Sequence, residues 1–177
     1  MRPDLDDWLP DPALRVYHRR ESAARPERLW DAARHVRLSE TTVLGRLICW
    51  RIPGVPLQVT FDELFRDPPF AVLKETDEAL VSGLVGRIWT VRRDYPRIAT
   101  PDEFRAWSQP GTARVLFANW IESAARGRVL LASETRVQAL GFQGRVGVAA
   151  VRPLVSAFHN LVGNEAIEAA VRRAERR

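Results

Sequence analysis

A chain of 177 residues, 46% hydrophobic and 28% charged, has the size and make-up of one globular domain, and neither disorder nor a fibrous repeat fits that composition. The net charge of +5 resides in arginines spread along the sequence, with Lys74 the single lysine, so no basic stripe for nucleic acid is formed. The longest apolar runs, such as Val115 to Ile121 and Val146 to Val151, fall short of the roughly 18 to 20 residues that cross a bilayer, which excludes a transmembrane segment.

Residues 1–12 read as an acidic tail holding Asp4, Asp6, Asp7 and Asp11 around Trp8, where a signal peptide would be basic and then apolar. A single domain is expected over 13–177. Leu14 to Ala23 reads as a first strand. Pro26 then opens a helix in which Leu29, Trp30, Ala33 and Val36 recur at helical spacing. Ser39 with Thr42 marks the start of a second helix, Glu40 to Arg51, which ends before Pro53-Gly54. The one cysteine, Cys49, lacks a disulfide partner, and no Cys/His cluster has zinc spacing, so a reducing cytoplasm and the absence of metal or other cofactor are expected. Thr60 and Glu63 form a capping box for a short helix through Phe65, closed by Pro68-Pro69.

The period then changes. β-Branched and apolar residues from Phe70 to Thr76 and from Leu80 to Thr90 predict two strands linked through Asp77-Glu78. Gly83 and Gly86 inside the second strand mark a bulge or a close contact rather than a nucleotide-binding loop. Thr100-Pro101-Asp102-Glu103 combines an N-cap, a first-turn proline and a carboxylate three after the cap, which predicts a helix from Pro101 to Trp107. Two long strands follow, Thr112 to Ser123 and Arg128 to Leu140, joined by Ala124-Ala125-Arg126-Gly127. A symmetric turn sets Asn119 opposite Ser133, Phe117 opposite Thr135 and Ile121 opposite Leu131. Val115, Phe117, Asn119, Ile121, Val129, Leu131, Ser133, Thr135 and Val137 then share the more apolar, inner face. Arg114, Glu122, Glu134, Arg136 and Gln138 take the other. From Gly144 to the end the pattern is one long helix with a stripe of Val151, Leu154, Val155, Phe158, Leu161, Val162 and Ala166. Pro153 bends it or separates a lead-in, and Gly163 marks a close approach to the sheet.

Gly83-Leu84-Val85-Gly86-Arg87-Ile88-Trp89, then Gln109-Pro110-Gly111-Thr112-Ala113 leading to Asn119-Trp120, then Glu134-Thr135-Arg136-Val137 resemble segments of uncharacterised bacterial members of the START-like helix-grip superfamily, also labelled SRPBCC or polyketide cyclase/dehydrase-like. The resemblance covers roughly Leu14 to Glu175. It implies an α+β fold in which a bent antiparallel sheet wraps a long C-terminal helix, with shorter helices after the first strand and an internal cavity between. Relatives use that cavity for lipids, sterols, polyketides or plant hormones, and in some cases for cyclase or dehydratase reactions. The Arg37 to Phe65 stretch departs from the superfamily, reading as helix and loop where many relatives have early strands.

Asn119, Ser133 and Thr135 read either as a hydrogen-bonding patch for a mostly apolar ligand or as buried polar groups that satisfy one another. Glu134 with Arg136, and Arg87 with Trp89, sit two apart on a strand and so point the same way. They would orient a polar group or form an ion pair on the outer face. His159 and Glu134 are weak candidates for acid–base catalysis, and no metal site is supported. Tryptophans 30, 50, 89, 107 and 120 line a pocket or fill the core. The expected function is binding or carriage of a small apolar ligand, lipid-like or polyketide-like, in a cavity reached from the Trp89 side. Its contacts would be Trp89, Arg87, Val115, Phe117, Asn119, Leu131, Ser133, Thr135, Leu154 and Phe158. The alternatives are a cyclase or dehydratase-type enzyme acting in the same cavity and a protein-interaction module.

Overall fold

Five strands, β1 (Leu14–Ser22), β2 (Ala71–Thr76), β3 (Ala79–Gly86), β4 (Thr112–Ser123) and β5 (Val129–Leu140), form one antiparallel sheet in the order β1-β5-β4-β3-β2. The sheet is open, with β1 and β2 as its edges. Among the described residues six α-helices accompany it: α1 (Pro26–Arg34), α2 (Leu44–Arg51), α3 (Phe61–Arg66), α4 (Pro101–Ala106), α5 (Gly141–Val162) and α6 (Glu165–Glu175). The computed structural model describes residues 2–52, 54–90, 95–162 and 164–176, with side chains throughout these except at 154–162.

The β4–β5 ladder pairs Phe117 with Thr135, Asn119 with Ser133 and Ile121 with Leu131, as a symmetric turn requires. That turn takes Arg126 and Gly127 through left-handed backbone (φ 59° and 70°), a conformation glycine adopts without steric penalty. Local signals also place α3 and α4. Thr60 and Glu63 satisfy each other's backbone donors at the start of α3, and Thr100 caps α4 with Pro101 at its first position.

Two apolar clusters lie on the inner face. In one, Leu29 and Trp30 of α1 and Ile167, Ala170 and Val171 of α6 pack on Leu80, Ile121, Val129 and Leu131. In the other, Leu38, Leu64 of α3, Phe70 and Val148 of α5 pack on Leu84, Val115 and Val137. The outer face is covered as well. Leu5, Trp8, Leu9, Ile98 and Phe104 of α4 seal Val81, Val85, Leu116, Ala118, Trp120 and Ala132.

Four expectations need correction. Residues 1–12 are no detached tail, because Leu5, Trp8 and Leu9 are core residues among the aspartates. The second inner helix begins at Leu44, after a single 3-10 turn at Leu38–Glu40. Val43 supplies no side-chain cap, and the Thr41 hydroxyl accepts from the Gly45 amide at 2.9 Å. The Glu165 carboxylate accepts hydrogen bonds from the Val43 and Leu44 amides at 3.0–3.2 Å, a further cap supplied from across the fold. Strand β3 stops at Gly86, whose φ of 140° turns the chain away four residues earlier than the apolar pattern implies. Finally, the terminal stripe is two helices. Pro153 lies within α5 and the break falls between Val162 and Glu165; Gly163 itself lies outside the described residues.

Candidate functional site

Strands β1, β5, β4 and β3 align two rows of side chains across the middle of the inner face. One row runs Val16, Thr135, Phe117, Ser82 and the next His18, Ser133, Asn119, Leu80. These rows run between the two apolar clusters and join them, with Leu80 part of the first and Phe117 packed against the second. Leu131 and Ile121 on one side are buried, as are Val115 and Val137 on the other, but Val16, Phe117, Asn119, Ser133 and Thr135 are only half-buried. On β4 and β5 their strand neighbours on the opposite face are sealed, since Leu116, Ala118, Ala132 and Glu134 have no exposed surface, whereas at the edge strand Arg15 is exposed and Tyr17 half-buried. On β4 and β5 the sheet centre is therefore closed on its outer side, while on its helical side Val16, Phe117, Asn119, Ser133 and Thr135 keep part of their surface accessible and His18, Leu80 and Ser82 are buried.

The polar members of the strip do not satisfy one another. Among the described residues no side-chain hydrogen bond is made by Asn119, Ser133 or Thr135, and the buried Ser82 hydroxyl has no hydrogen-bond partner. His18, buried and opposite Ser133, adds a further polar group. Phe117 supplies an apolar wall, with Phe65 and Phe70 each 5.4 Å from it between ring centroids. Helix α5 packs against β4, β5 and β1. Its Leu154, Phe158 and His159 were expected in the site, and their side chains lie outside the described residues.

Arg87 and Trp89 are not partners on a strand face. Beyond Gly86 the chain turns, Arg87 is exposed, and the Trp89 ring lies against Gly147 of α5, leaving no room for a Cβ there. Of the other tryptophans, Trp30 and Trp120 are buried on opposite faces, whereas Trp50 is exposed.

Glu134 points away from the strip and is fully buried beneath the N-terminal segment. Its carboxylate meets Arg15 Nε and Arg136 Nε, both at 2.7 Å, and Arg2 Nη2 at 3.3 Å. Arg136 in turn donates to Asp6 Oδ1 and to the Leu9 carbonyl oxygen. Burial acts to raise the Glu134 carboxyl, but the hydrogen bonds from Arg15 and Arg136 and their charges outweigh it, so the group titrates below the usual carboxylate range. A carboxylate held ionised in this way clamps the N-terminal segment rather than exchanging protons. Among the described residues no group of three His, Cys, Asp or Glu side chains is placed to hold a metal ion.

Sequence reasoning passed over His18 and Ser82. The alternation Leu14, Val16, His18 in β1 and Leu80, Ser82, Leu84 in β3 carries both onto the inner face once the strand order is known.

No family model and no curated protein matches the chain. Among solved structures it is similar to a hypothetical protein from Helicobacter pylori, with a TM-score of 0.46 and 10% identity over 99% of this chain and 95% of that one. It is also similar to a protein from Thermus thermophilus, with a TM-score of 0.34 and 12% identity over 91% of this chain and 97% of that one. Likeness at this level leaves function to be argued from the residues themselves.

Proposed function

We infer that the chain is a START-like helix-grip protein that binds and carries a small, mainly apolar molecule along the inner face of its sheet, in the cytoplasm. The observation that carries this reading is the half-buried strip of Phe117, Asn119, Ser133 and Thr135 between two closed apolar clusters. A sheet that only packed helices would seal its centre, and here the sealed side is the other one. The unbonded polar groups refine the ligand class. Stripping water from a hydroxyl or amide without replacing its hydrogen bond costs about 1–3 kcal/mol, so a pure hydrocarbon would leave Asn119, Ser133 and Thr135 unsatisfied. An apolar skeleton bearing a hydroxyl or carbonyl fits better, as in a lipid-like or polyketide-like molecule. Catalysis has less support, since Glu134 faces away from the strip and is tied up by three arginines.

Titration of a fluorescent fatty acid tests the reading, with wild type compared with Ser133→Phe, which fills the strip. Saturable one-to-one binding that Ser133→Phe abolishes, with a cooperative melt retained, is the expected result. Wild-type protein that binds neither the fatty acid nor a hydrophobic dye saturably, and carries no copurified small molecule by native mass spectrometry, would overturn it.

A further inference from the structure

The exposed large apolar side chains of the described residues are Leu47, Trp50, Leu57, Phe142 and Val146, and all fall on α2, the loop after it, or the first turns of α5. Trp50 is 60% and Phe142 73% exposed. On α5, Phe142, Val146 and Ala149 are exposed at spacings of four and three, one continuous stripe along the helix. The turn after β3 links the two groups. Arg51, at the end of α2, donates to the carbonyl oxygens of Arg87 and Ile88 at 3.3 and 3.2 Å, while Trp89 of the same turn lies on Gly147 of α5.

The charge on these segments has one sign. The chain has 22 acidic residues, yet none falls in 41–60, 79–90 or 141–164. The charged side chains that the described parts of those stretches carry are Arg46, Arg51, Arg87, Arg145 and Arg152. Protruding Trp, Phe, Leu and Val on segments whose own charges are all arginine, with the neighbouring Glu165 carboxylate already engaged by the Val43 and Leu44 amides, is the chemistry of a surface that enters the boundary between lipid headgroups and acyl chains.

We propose that this end of the molecule, formed by α2, its following loop and the start of α5, docks on the surface of an anionic lipid bilayer. Trp50 and Phe142 insert at the headgroup level, Leu47, Leu57 and Val146 bury beside them, and the arginines pair with lipid phosphates and carboxylates. A second copy of the chain is the weaker occupant, because a two-fold contact would set these arginines against their own equivalents. Nucleic acid is weaker too, since it offers Leu47, Leu57 and Val146 no apolar phase to enter. The docking does not depend on what occupies the inner-face strip.

Sedimentation with vesicles of equal parts phosphatidylserine and phosphatidylcholine, against phosphatidylcholine alone, tests the proposal on the full chain. Wild type is expected to pellet with the anionic vesicles and stay in solution with the neutral ones, and added salt should weaken the binding. Trp50→Ser with Phe142→Ser should lower vesicle affinity by roughly tenfold or more. Arg46→Gln with Arg145→Gln should lower it on anionic vesicles and should melt as wild type does because both positions are exposed, and the Trp50→Ser with Phe142→Ser protein should keep a cooperative melt. Wild type that remains in solution with anionic vesicles would overturn the proposal. So would unchanged binding by the variants, or a wild-type dimer in solution that Trp50→Ser with Phe142→Ser converts to monomer.

Discussion

The two faces of the sheet are built from alternating residues of the same strands and differ in how they are closed. On the outer face Leu116, Ala118, Trp120, Ala132 and Glu134 are sealed by Leu5, Trp8, Leu9 and α4, and the charged groups left inside pair with one another. On the inner face closure comes from two helical clusters, and the rows between them keep unbonded polar side chains within reach of solvent. Burial of an ionised group calls for a fixed partner, whereas Asn119, Ser133 and Thr135 are neutral and can exchange water for a ligand. The Glu134–Arg136 pair on the outer face thus serves assembly, and Asn119, Ser133 and Thr135 on the inner face are left available.

Substitutions on the outer face should therefore act on stability, and substitutions in the strip on binding. The largest effect is expected from deleting residues 2–12. Three buried side chains at about 1.5–3 kcal/mol each, together with an uncovered Glu134–Arg136 pair, approach the whole stability of a typical domain. Chemical denaturation should find no cooperative transition in the truncated chain. Next, Glu134→Gln leaves Arg15 and Arg136 without their buried counter-charge and should cost about 3 kcal/mol, while Thr135→Val, one residue along the same strand, should change stability by less than about 0.5 kcal/mol. Equal effects at the two neighbours would dissolve the distinction between the faces.

The same ion pair sets a pH dependence. Because the folded-state carboxyl of Glu134 titrates below its unfolded value, its contribution is fully present above the unfolded pKa of about 4.3 and is lost as pH falls from there toward the lowered folded value. Unfolding free energy measured from pH 6 to pH 3 should fall less steeply in Glu134→Gln than in wild type. A smaller loss, about 1–3 kcal/mol, is expected for Gly83→Ala, since a Cβ there would stand 2.6 Å from the Phe104 ring. The smallest change in stability is expected for Asn119→Leu, which should melt at or slightly above the wild-type temperature while shifting ligand preference toward wholly apolar molecules.

What could be read from the sequence was what local chemistry determines. The β4–β5 register followed from a symmetric turn and strict alternation, and α1, α3 and α4 from first-turn prolines and capping residues. Gly83 was legible as a close approach, though not that Phe104 is what approaches. The unread parts depend on contacts distant in sequence. Leu5, Trp8 and Leu9 are masked by surrounding aspartates, and their role follows only when Arg136 is seen to bind Asp6 and the Leu9 carbonyl. The start of α2 is held by Thr41 and also by Glu165, more than 120 residues away. Of the candidate site, Phe117, Asn119, Ser133 and Thr135 were legible as one inner-face set. His18 and Ser82 were not, because their place in it depends on the order in which four strands assemble.

The central claim, that the inner-face strip is open and the outer face closed, is tested most directly by thiol labelling at adjacent positions of β5. In a Cys49→Ser background, Ser133→Cys places a thiol in the strip and Ala132→Cys places one in the outer core. The folded Ser133→Cys protein should react with a small maleimide at least about a hundredfold faster than Ala132→Cys, whose labelling must wait for local opening, and a saturating fatty acid should slow the first reaction and leave the second unchanged. Equally slow labelling at both positions would mean that the strip is sealed, and would contradict the account.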